Sequence, residues 1–164
     1  MKNLLIFIIF TPVIFSNQNS HCNDVELYFI NPPDGLITNA REIKIEFGSK
    51  NVKVSPAGVM VDNADPCLVS GHHHLIINNA YDVTANRVDP IPYGENILHF
   101  GGGQTEATLS LKPGKYDLQL ALGDYQHVPV KPVNSGSNYQ PLVSKKITIE
   151  ITSCLLYTSP SPRD

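Results

Sequence analysis

Residues 111–122, LKPGKYDLQLAL, join a short turn to an alternating strand. Pro113 fixes φ and Gly114 tolerates positive φ, so the pair predicts a tight turn. Beyond the turn, apolar side chains recur at every second position of residues 116–122, which is the period of one buried strand face. A tight turn followed by a half-buried strand indicates a β-structure built from short strands.

The same pattern extends along most of the chain, and no run has a helical apolar face longer than about two turns. Seven or so short strands in about 125 residues is the number typical of a two-sheet sandwich. We therefore predict an all-β fold, an immunoglobulin-like β-sandwich of about seven short antiparallel strands. The runs that read as strands are residues 25–30, 42–47, 52–54, 58–61, 72–77, 97–100, 106–111, 116–122 and 144–152.

Tyr116 adds a specific marker to this fold prediction. A tyrosine at the start of a strand, just after a Pro-Gly turn, resembles the tyrosine corner of immunoglobulin-like domains. The alternative is an ordinary core tyrosine.

The two ends of the chain are predicted to lie outside the domain. Lys2, a following apolar run over residues 4–15 and a small residue at Ser16 or Ser20 predict a signal peptide over residues 1–16, with cleavage as late as residue 20. The alternative is an uncleaved anchor, although the run is shorter than the roughly 20 residues of a membrane-spanning helix. No stable span is expected after cleavage. Residues 154–164, CLLYTSPSPRD, match the translation of a sequencing adapter, which leaves a single β-sandwich domain over residues 25–153.

The cysteine count supports this division. The chain has three cysteines, and excluding Cys154 with the adapter leaves Cys22 and Cys67. In an oxidising compartment this pair most simply forms one disulfide, contributing on the order of 3–4 kcal/mol. Copper ligation by Cys67, close to His72, is the alternative.

The net charge of the chain indicates which classes of partner to expect. Twelve basic and 15 acidic residues give a net charge of −3, so no basic footprint for nucleic acid is present. The partners that we expect are a small ligand, a metal ion or another envelope component.

The histidines are the strongest candidates for chemistry. His72, His73 and His74 are consecutive, so on a strand His72 and His74 share one face and His73 lies on the other. Neutral imidazole is a common ligand of zinc and copper, and a bound ion needs three or four ligands. We predict metal ligands at His72, His74, His99 and His127, with outer residues that orient them at His73, Gln104, Glu106 and Asp124. The alternative is that these histidines bond loop carbonyls and only hold loops in place.

Motifs for catalysis are weak. Gly101-Gly-Gly103 lacks the Gly-Lys-Ser/Thr ending of a phosphate-binding loop, and a bulge or tight turn is the better interpretation. Ser70 stands beside the histidines without the spacing of an activated nucleophile. Enzymatic activity is therefore left open and not favoured.

Five motifs in order carry a family resemblance: GHHHLII from Gly71, Ile91-Pro, HFGGGQTEATL from His99, LKPGKYDLQL from Leu111 and GDYQHVP from Gly123. Over residues 25–152 the chain resembles domain of unknown function 4399, a family of exported bacterial envelope proteins. That family usually has a further histidine where this chain has Val130. The Pro-x-Asp-Gly opening at residues 32–35 is also similar to periplasmic copper-carrier domains, at the level of fold alone.

The resemblance implies export to the periplasm or cell envelope, or secretion. Together with the histidines, it predicts an exported binding protein that takes copper or zinc. The alternative is a structural or ligand-binding immunoglobulin-like envelope domain with no metal and no catalysis.

Overall fold

The computed structural model describes residues 25–62, 67–132 and 136–153, and its regular elements there are all strands. The all-β prediction is confirmed. Within these ranges no helix is long and apolar enough to cross a membrane. The predicted signal peptide, Cys22 and the adapter segment lie outside the described residues.

The strands are β1 Glu26–Asn31, β2 Ile37–Thr38, β3 Glu42–Lys50, β4 Val52–Val54, β5 Val69–Ile77, β6 Ile97–His99, β7 Glu106–Ser110, β8 Gly114–Gly123 and β9 Ile147–Ile151.

The strands form two sheets. The smaller has the order β1-β3-β7, and the larger has the order β2-β9-β8-β5-β4, with β6 also paired to β5. β8 occupies one edge of β5 from His72 to Ile77. β4 and β6 therefore share the other edge, β4 at residues 69–71 and β6 at residues 74–76. This arrangement makes β5 a central strand and brings β6 alongside its histidines.

The main core lies between the sheets and consists of the alternate side chains that face inward, including Ile45 and Phe47 of β3, Leu75 of β5 and Leu120 of β8. A second cluster covers the outer face of the larger sheet at β5, β6 and β8 and contains Ile76, Val83, Ile91, Ile97 and Ala121. β5 is therefore buried on both faces, which explains its almost unbroken apolar and histidine sequence.

Three details differ from the sequence prediction. The pairs β2–β9 and β4–β5 are parallel, so the strands are not all antiparallel. Strand β2 was not predicted, because its two residues are too few to show the alternation of a strand. Residues 58–61 form no strand, because Gly58 has a φ of +75° and its amide donates to the carbonyl of Tyr125.

Tyr116 makes the bond expected of a tyrosine corner, since its hydroxyl donates to the carbonyl of Lys112 at 2.8 Å. The specifically immunoglobulin-like arrangement stays a prediction.

Candidate metal centre

β5 divides its three consecutive histidines between its two faces, as the alternation predicts. His73 faces the main core, where its ring centre lies 5.1 Å from that of Phe47. His72 and His74 lie on the outer face with their ring centres 4.9 Å apart. All three are 0% exposed.

Two further histidines reach the outer face from other elements. His99 of β6 is the register partner of His74, so the two side chains share that face. His127 lies on the turn after β8, and its ring centre is 5.0 Å from that of His72 and 4.7 Å from that of His99. The four predicted ligands are thus neighbours in space although they come from three separate parts of the chain.

The tightest part of this cluster is formed by His72, His74 and His99. One ring nitrogen from each lies within 4.8 Å of the other two, and His127 does not belong to this set. The Nε2 atoms of His72 and His74 are 3.0 Å apart.

Two glycines provide the room for these rings. A Cβ at Gly123 would lie 2.7 Å from Nε2 of His74, and a Cβ at Gly101 would lie 2.2 Å from Cε1 of His99. Real Cβ atoms essentially never make such contacts, so an alanine at either position displaces a ring. The glycines of GDYQHVP and HFGGGQ therefore shape the cluster directly.

Burial keeps these imidazoles neutral. Loss of hydration, together with the smaller effect of the neighbouring histidines, lowers the pKa of His72 to about 4 and that of His74 to about 3. Burial also lowers the pKa of His73 to about 4 and depresses the pKa of His99. A neutral imidazole has a free lone pair, which is the form that binds metal.

Several buried ring nitrogens of the cluster have no hydrogen-bond partner. In the cluster, the buried ring nitrogens without a hydrogen-bond partner among the described residues are Nδ1 of His72, Nδ1 of His74 and Nε2 of His99. Buried polar atoms are normally paired, and leaving one unpaired costs about 1–3 kcal/mol. Such nitrogens on the outer face of β5 are an unusual feature for a merely structural cluster.

Asp124 builds the turn that carries His127. Its Oδ1 accepts the amide protons of Gln126 at 2.7 Å and Val128 at 3.0 Å, and its carbonyl accepts the amide of His127. His127 has a φ of +70°, in the left-handed region where histidine is enriched among non-glycine residues. Asp124 thus acts on His127 through the backbone of the turn.

Tyr93 is a member of this neighbourhood that the sequence analysis missed. Its hydroxyl is hydrogen-bonded to Nε2 of His127 at 3.1 Å, and its ring centre lies 5.0 Å from that of His99. It is 68% exposed, so it lies on the solvent side of the cluster. Tyr93 stands in an irregular polar loop, and nothing in that loop's sequence marks it.

The other predicted outer residues have partners of their own. Gln104 accepts the amide of Gly102 at 3.0 Å within the glycine loop. Glu106 forms an ion pair with Lys44 at 3.0 Å across the smaller sheet. Val130, at the position of the family's additional histidine, packs in the main core.

Cys67 is disulfide-bonded. Its predicted partner, Cys22, is not among the described residues, so the pairing stays a prediction.

No curated protein and no solved structure matches this chain. The model of one family does match it, over residues 45–152, which begin in β3 and include all four histidines of the cluster. The chain belongs to that family, which is described as domain of unknown function (DUF4399).

Proposed function

We propose that this protein is an exported envelope protein that binds a copper or zinc ion through His72, His74 and His99, with His127 as a fourth ligand. The observation that carries the proposal is the convergence of one ring nitrogen from each of His72, His74 and His99 within 4.8 Å of one another. Imidazole suits both Cu²⁺ and Zn²⁺, so the donor set is consistent with either ion.

The spacing of one histidine pair fits a bound ion. Zn–N bonds of about 2.0–2.1 Å at tetrahedral angles place two ligand nitrogens about 3.3 Å apart. The Nε2 atoms of His72 and His74 lie 3.0 Å apart, close to that value. Nε2 of His99 is buried without a partner, and coordination would use its lone pair.

Export is supported by two features that do not involve the histidines. Residues 1–16 have the layout of a signal peptide. Cys67 is disulfide-bonded, and disulfides persist in oxidising compartments.

The experiment is metal analysis of the full chain, expressed with its own leader and without a histidine tag. We expect about one copper or zinc ion per chain in the envelope fraction, and loss of that ion in the double variant His72→Gln, His74→Gln. His73 was predicted to orient the ligands, but its ring packs against Phe47 on the opposite face of the strand. His73→Leu is therefore the matched control and should leave the metal content unchanged.

A wild-type protein that takes up neither ion on titration would contradict the proposal. In that case the histidines serve the architecture of the loops, and the double variant should lower the free energy of unfolding without any change in metal binding.

A further inference from the structure

We infer that Tyr93 is a positioning residue of this site: its hydroxyl oxygen accepts the Nε2 proton of His127 and thereby leaves Nδ1 of His127 free to bind the ion. The inference rests on the proposed function, because it assigns the ligand atom of the fourth histidine.

The orientation of His127 supplies the first step. The position that a Cβ would take at Gly123 is 2.7 Å from Nε2 of His74 and 3.4 Å from Cα of His127. The backbone end of His127 therefore lies beside the cluster, whereas its Nε2 atom lies 3.1 Å from the hydroxyl of the exposed Tyr93. Because Nε2 is bonded to Tyr93, Nδ1 is the ring nitrogen of His127 that remains for an ion.

The second step is the position of the proton. A neutral imidazole has one N–H, and a metal-ligating histidine normally donates it from the ring nitrogen that does not bind the metal. The Tyr93 oxygen is placed to accept a proton from Nε2, and its own proton can bond water because the side chain is 68% exposed. This arrangement leaves the lone pair on Nδ1.

The third step is the choice of variant. The Tyr93 ring contacts His99 edge-on, with centres 5.0 Å apart and planes at 80°. Tyr93→Phe keeps that ring contact and removes only the hydroxyl. Tyr116→Phe is the matched control, since it also deletes one hydroxyl hydrogen bond, to the carbonyl of Lys112 at 2.8 Å.

The test combines Zn²⁺ titration with ¹⁵N NMR of the histidine rings in the metal-free full chain. In the wild type, we expect His127 in the Nε2–H form. In Tyr93→Phe, we expect a mixture of the two neutral forms and Zn²⁺ affinity about 3- to 10-fold weaker, which corresponds to the loss of one net hydrogen bond. Tyr116→Phe should change neither measurement.

Two results would overturn the role of Tyr93. One is a wild-type His127 with its proton on Nδ1, and the other is a Tyr93→Phe variant that binds Zn²⁺ as tightly as the wild type or more tightly. The second would mean that Tyr93 competes with the ion for Nε2 or does not act on it. A wild type that binds no ion would instead overturn the proposed function, so the two failures are distinguishable.

Discussion

At the scale of single residues, the site depends on two glycines as well as on the histidines. Gly101 and Gly123 lack the Cβ atoms that would collide with the rings of His99 and His74. At Gly101 the colliding group is a half-buried side chain, and the φ of this glycine lies outside the left-handed region. Alanine there should displace His99 and leave the backbone intact.

We therefore expect Gly101→Ala to weaken binding of Cu²⁺ or Zn²⁺ by about 10-fold or more, the scale at which misoriented ligands affect metal sites. The free energy of unfolding should fall by only about 1 kcal/mol, because a partly exposed ring can move aside. Isothermal titration and urea unfolding measure the two quantities. Gly136→Ala is the control, since nothing lies within 4 Å of its Cβ position, and equal metal affinity in both variants would contradict the assignment of Gly101.

At the scale of elements, the turn after β8 determines where His127 lies. Oδ1 of Asp124 accepts two amide protons of this turn, so the carboxylate holds the backbone from which the imidazole projects. No direct contact between Asp124 and the ion is needed for it to affect binding.

Asp124→Ala should lower the free energy of unfolding by about 1 kcal/mol, the usual cost of losing a side-chain cap on backbone amides. It should also weaken metal binding, because the turn that carries His127 becomes less ordered. Asp124→Asn retains an oxygen acceptor at the same position and should restore most of both quantities. If the alanine and asparagine variants bind metal equally, the turn does not control the site.

The elements also show how far the sequence can be interpreted alone. Alternation places His72 and His74 on one face of β5 and His73 on the other, and this local rule predicts correctly. The partnership of His74 with His99 depends on register between two strands that are distant in sequence, so the sequence suggested the residues and not their pairing. Gly123 and Tyr93 could not be assigned, because their roles arise from contacts across loops. Residues 58–61 look like a strand by composition, yet Gly58 bonds to Tyr125, in the loop after β8.

At the scale of the whole molecule, the larger sheet is covered on both faces at its centre, and this double coverage buries the histidines of β5. Their pKa values in the folded protein, about 4 for His72 and His73 and about 3 for His74, lie below the ordinary value of 6.5. Between those values the unfolded chain binds protons that the folded protein does not. The free energy of unfolding of the metal-free protein must therefore fall as the pH falls below about 6.5.

Each of the three buried histidines should contribute a slope that approaches about 1.4 kcal/mol per pH unit between pH 6 and pH 5, above the range in which most carboxylates titrate. Urea unfolding of the metal-free protein at several pH values measures this slope. His73→Leu removes one of these groups from the main core and should make the slope shallower, because that position then binds no proton in either state. A free energy of unfolding that is constant from pH 7 to pH 5 would mean that the histidines are accessible to water in the folded protein, which their complete burial in the sheet argues against.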